Sequence, residues 1–137
     1  LEATDKKNLY NDFSHLAGLD RVTYHIDNRG TQFIELNHPD NFLIQITVPD
    51  KILEWFICVS DNKGAELVRD WDDGYDEPIE VLKAERQKIV EDTVQNLMTH
   101  QLRFLSIEKR FSVTSMIQIF IDNEWQELFS NSRLKLW

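Results

Sequence analysis

Two runs decide the fold: FLIQITV at 42–48 and EWFICVS at 54–60. In the first, Phe42, Ile44, Ile46 and Val48 alternate with Leu43, Gln45 and Thr47, the period of two that a strand with one strongly apolar face imposes. In the second, Trp55, Ile57 and Val59 share one face while Phe56 and Cys58 occupy the other. That pattern predicts a central strand covered on both sides. Pro49-Asp50 separates the two runs. Asp61-Asn62-Lys63-Gly64 then supplies turn chemistry, so Ala65 to Trp71 is expected to return antiparallel.

Upstream, Val22, Tyr24 and Ile26 alternate with polar residues. Asn28-Arg29-Gly30 forms a second turn and Thr31 to Leu36 resumes extended character, which reads as a β-hairpin. The whole makes an antiparallel meander of about five strands. Before it, Leu9, Phe13 and Leu16 lie at spacings of four and three and end at Ala17-Gly18, a short amphipathic helix with a glycine stop. After it, Asp76-Glu77-Pro78 combines an N-cap with a first-turn proline. A helical pattern follows through Val90, Val94, Leu97, Met98, Leu102 and Leu105. A helix over about residues 78–104 would extend about 40 Å, enough to cross a five-stranded sheet. A C-terminal β-hairpin is expected where Ile117, Ile119 and Ile121 alternate, Asp122-Asn123 turns, and Trp125 to Phe129 returns. The fold class is α+β, and 1–137 reads as a single domain.

Composition narrows the function. The 137 residues carry 24 acidic and 15 basic side chains, a formal charge of -9, which repels phosphate backbones and favours a cationic partner or plain solubility. Direct nucleic-acid binding is not expected. No apolar run approaches the length of a membrane span, and Leu1 to Lys7 carries no leader-like hydrophobic region. Opening on Leu1 and not on Met points to a trimmed sequence; a cytoplasmic protein without a membrane partner is the expectation. The one cysteine, Cys58, excludes an internal disulfide and reads as strand packing.

Catalytic motifs do not assemble. With 4 Gly in the chain there is no phosphate-binding loop, dinucleotide fingerprint or nucleophile elbow. His15, His25, His38 and His100 are scattered across separate elements with no helical i, i+4 pair, so neither a metal nor a cofactor is expected.

What stands out is Asp70-Trp71-Asp72-Asp73-Gly74-Tyr75-Asp76-Glu77 with Glu80 behind it. A calcium loop starting at Asp70 fails on register. Its glycine position holds Tyr75 and its bidentate acid position holds Val81, while Gly74 and Glu80 each fall one residue early. Asp76, Glu77 and Glu80 suit the positive end of the long helix. For Asp70, Asp72 and Asp73 beside Trp71 and Tyr75 two readings stay open, a plug at the edge of the core or an interface that combines aromatic anchors with charge.

Glu54-Trp55-Phe56-Ile57-Cys58-Val59, the turn Asp61 to Gly64, and the acidic segment with Trp71 and Tyr75 before a long helix resemble bacterial immunity proteins of polymorphic toxin and contact-dependent inhibition systems, over about residues 54–100. The resemblance implies a cytoplasmic antidote that binds a cognate toxin domain, such as a nuclease, and occludes its active site without catalysis. It places the partner contact on Asp70, Trp71, Asp72, Asp73, Tyr75 and Asp76. Two alternatives compete. An adaptor would self-associate through an exposed apolar hairpin at 117–129, and a small hydrolase would gather paired carboxylates in a pocket.

Overall fold

The computed structural model describes residues 12–49, 54–72 and 79–134. It is mostly sheet with one α-helix. Strands β1 (Val22–Ile26), β2 (Gln32–His38), β3 (Phe42–Val48), β4 (Trp55–Asp61) and β5 (Glu66–Asp72) form a five-stranded antiparallel meander in sequence order. Helix α1 (Ile79–Thr99) follows. Strands β6 (Leu102–Glu108), β7 (Ser112–Ile121) and β8 (Glu124–Leu134) make a separate three-stranded antiparallel sheet.

The meander closes on local chemistry. In the β1–β2 turn the Asp27 carboxylate accepts the Arg29 and Thr31 N–H groups at 2.8 and 3.0 Å. In the β4–β5 turn Asp61 does the same for Lys63 and Ala65, both at 2.9 Å. Each turn then needs a left-handed residue, supplied by Gly30 (φ +83°) and Gly64 (φ +87°). The β7–β8 hairpin uses Asp122 and Asn123 at φ 54° and 62°, the two-residue geometry whose twist matches the strands.

One core joins both sheets and the helix. Ile34, Ile44, Ile46 and Val59 of the first sheet, Val90, Val94 and Leu97 of α1, and Ile117 of β7 lie in a single buried cluster. Their spacing on α1, four then three, is the stripe of a helix with one buried face. In place of the expected amphipathic helix, a 3-10 helix (Ser14–Gly18) covers the end of the meander; Leu9 lies outside the described residues. Phe13 and Leu16 are buried there. Gln32, itself buried, accepts the Phe13 N–H at 2.9 Å and the Tyr24 hydroxyl at 2.8 Å through one side-chain oxygen.

Two expectations need correction. The helix ends at Thr99, so Leu102 and Leu105 belong to β6, and the C-terminal hairpin is a three-stranded sheet. What stops the helix is a tertiary clamp: His38 Nε2 donates to the His100 carbonyl at 3.0 Å, and the Asp40 carboxylate accepts the Leu102 N–H at 2.9 Å. Secondly, among the described residues β4 is covered fully on the face of Trp55, Ile57 and Val59 and only in part on the other. Phe56, Cys58 and Ser60 are half-buried, because the single helix serves only the Ile57 face. On the C-terminal hairpin Ile117, Ile119 and Phe129 are buried in the core, while Phe120, Ile121, Trp125 and Leu128 are half-buried.

Candidate functional site

The antiparallel register aligns residues across all five strands on the face of the meander turned away from α1. One row runs Thr23, Glu35, Gln45, Cys58, Arg69. Beside it runs His25, Phe33, Thr47, Phe56, with Trp71 at the next register position. Neighbours in a row share a face and sit close enough to interact. His25 and Phe33 stack with ring centroids 4.6 Å apart. Phe33 and Phe56 are half-buried; Glu35, Gln45 and Leu43 are exposed, Leu43 at 41%. An aromatic row therefore borders a polar one on an open sheet face.

Two concavities indent this face. One of about 500 Å³ is bounded by Arg21, Thr23, Glu35, Asn37, Gln45 and Ser60, and the other, of about 390 Å³, by Thr47, Phe56 and Arg69. Both also touch Gln45 and Cys58, so they adjoin across β3 and β4. A mixture of one aromatic wall, Phe56, with neutral hydrogen-bonding groups and the charges of Arg21, Glu35 and Arg69 suits side-chain capture from a partner.

Cys58 is chemically quiet within it. Its thiol donates to Glu66 at 3.3 Å, and Glu66 pairs with Arg69 at 2.6 Å. Burial, reinforced by the Glu66 carboxylate, pushes the Cys58 thiol above its ordinary range. A thiol held protonated is a poor nucleophile. It is also not a core residue: it belongs to the outer face and is half-buried.

The histidines serve local structure. His15 meets Glu91 at 2.8 Å and His25 stacks on Phe33. His38 donates through Nε2 to His100 and accepts the Asp40 N–H at Nδ1, 3.0 Å away, while His100 Nδ1 donates to the Asn96 carbonyl at 2.8 Å. Among the described residues, no group of three or more His, Cys, Asp or Glu is placed to hold a metal ion.

Of the residues expected from sequence, Asp70 is half-buried and pairs in register with Ile57, and Asp72 pairs with Trp55. Trp71 pairs with Phe56. Strand alternation thus gives Asp70 and Asp72 the register parity of the core face and Trp71 that of the outer face. Asp73, Tyr75 and Asp76 lie outside the described residues. Sequence reading missed Phe33, Glu35 and Phe56 as site residues. The signal was available in the strict alternation of β2 and β4, which puts them together once the meander is folded with these turns.

A second aromatic cluster lies on β6–β8. Arg103 donates to Gln118 at 2.7 Å, its guanidinium stands 4.3 Å from the Trp125 ring centre, and Trp125 packs on Phe120 at 5.1 Å. Its cation is engaged internally.

The chain matches no protein-family model, and neither a curated protein nor a solved structure matches it significantly. None of the described helices is long and apolar enough to cross a membrane.

Proposed function

We propose that this chain is an immunity-type inhibitor, a non-catalytic cytoplasmic domain that binds the toxic domain of an antibacterial effector and occludes its active site. The observation that carries the reading is the open sheet face with its row His25, Phe33 and Phe56, continued in register by Trp71. Aromatic anchors on a rigid strand scaffold supply contact area at low entropic cost, the composition on which binding energy concentrates. The excess of 24 acidic over 15 basic residues steers encounter with a partner whose cleft is cationic, as in a nuclease. The resemblance over residues 54–100 adds the toxin as the class of partner, and Trp71 links the expected acidic contact segment to the aromatic row.

The test is protection. A partner recovered on the immobilised chain is expressed in a sensitive host with and without it. Growth rescued by the wild-type chain supports the reading. A partner that is harmless alone, or equally toxic in its presence, removes it.

A further inference from the structure

Arg21 and Glu35 line the same concavity of about 500 Å³, yet neither makes an ion pair among the described residues. Three other arginines are engaged. Arg69 meets Glu66 at 2.6 Å, Arg103 meets Gln118 at 2.7 Å, and the buried Arg86 donates to the Pro49 carbonyl at 3.4 Å. The backbone at Arg21 is also unusual. Its φ of 63° is left-handed, a conformation that costs a side-chain-bearing residue about 1–2 kcal/mol. Gly or Asn adopts it more readily, and the turn itself needs only the Arg21 carbonyl, which accepts the Asn37 N–H at 2.9 Å. The guanidinium is thus not required by the local fold.

Glu35 stands in register between Thr23 and Gln45, and among the described residues its carboxylate accepts one long hydrogen bond, from Gln45 Nε2 at 3.5 Å. The same concavity is lined by the neutral groups of Thr23, Asn37, Gln45 and Ser60. The concavity therefore offers a cationic and an anionic position beside hydrogen-bonding groups, next to the Phe56 concavity.

We propose that Arg21 and Glu35 are the specificity pair of this face, receiving a loop of the partner protein that brings a carboxylate to Arg21 and an ammonium or guanidinium to Glu35. The proposal rests on the reading of the face as a partner-binding surface and deepens it. Aromatic area provides affinity, while two opposite charges at fixed positions reject partners carrying the wrong order of charge. A polypeptide loop presents both charges together with apolar side chains for the Phe56 concavity, and a protein is the occupant that the proposed inhibitor function calls for.

The probe is the protein captured by the wild-type chain, purified and measured by surface plasmon resonance against Arg21→Glu, Glu35→Arg and Phe56→Ala. Circular dichroism and melting of each variant establish that it folds. The expected result is a loss of at least about tenfold in affinity for each charge variant, as for a truncated interfacial charge pair, and a loss for Phe56→Ala as well. Wild-type affinity in both charge variants with weakening only in Phe56→Ala overturns the specificity pair and leaves the docking face standing. Wild-type affinity in all three overturns the face too. Capture of nothing but a second copy of this chain overturns the choice of occupant.

Discussion

The side-chain amide of Asn131 takes the place of a neighbouring strand at the edge of β5: it accepts the Arg69 N–H and donates to the Arg69 carbonyl, both at 2.7 Å. An edge strand exposes unpaired backbone groups that invite other chains. Here one carboxamide on β8 satisfies a donor and an acceptor together and ties the two sheets to each other. Asn131→Ala is expected to lower stability by about 1 kcal/mol, the net worth of a typical hydrogen bond for a site in reach of water. It should also speed amide exchange at Arg69. Urea denaturation and hydrogen exchange check both; protection at Arg69 that survives the substitution contradicts the pairing.

The His38 clamp predicts a tautomer. Nδ1 accepts a backbone N–H and Nε2 faces a carbonyl, so the neutral ring must carry its proton on Nε2. Long-range nitrogen–proton NMR spectra should show that form at neutral pH. His38→Leu would leave the half-buried His100 carbonyl and the Asp40 N–H without these partners, a loss of about 0.5–1.5 kcal/mol for each hydrogen bond. An Nδ1–H spectrum contradicts the clamp.

These contacts explain which parts of the fold were legible. The meander could be read because each strand alternates cleanly and two turns of the form Asp-Asn-basic-Gly are local devices. The end of α1 could not, since Met98, Leu102 and Leu105 continue helical spacing and the groups that stop the helix come from His38 and Asp40, some 60 residues earlier in the chain. The outer face was misread for a related reason. Periodicity assigns Phe56 and Cys58 to a face but carries no information about what covers it. Trp71 was selected from sequence for its company of acids; its register beside Phe56 emerged only from the pairing of β4 with β5.

Cys58 should be slow to react. Burial and the Glu66 carboxylate both raise its pKa, so alkylation by iodoacetamide near pH 8 is expected to run slower than for a model thiol. Glu66→Gln should quicken it. The linkage has a sign. A folded-state pKa above the unfolded value contributes stability that is fully present below the ordinary thiol value of 9.0 and is lost as pH rises through the folded one. Alkaline melting of Cys58→Ser should lack that part of the loss. Alkylation at the model rate contradicts the assignment.

At the acid end the order reverses. Hydrogen bonds from Ser14, first from its backbone, hold Asp12 below the usual carboxylate range, and Arg69, then Cys58, does so for Glu66. Depressed folded values contribute stability above the ordinary 3.8 and 4.5 that is lost as pH falls through the folded ones. Asp12→Asn and Glu66→Gln should each flatten the acid limb of the stability profile. Because both groups are exposed, the effect should be small and reduced by salt. An unchanged limb in both variants contradicts it.

The open face of the meander is the proposed docking surface for the toxin. The most direct measurement is the affinity of the double variant Phe33→Ala/Phe56→Ala for the captured partner, alongside its melting temperature and its protection of a host expressing that partner. The account predicts a folded protein with binding weakened by about 2 kcal/mol or more, the threshold of an interface hot spot, and with protection lost. A folded double variant that binds and protects like the wild type would contradict it.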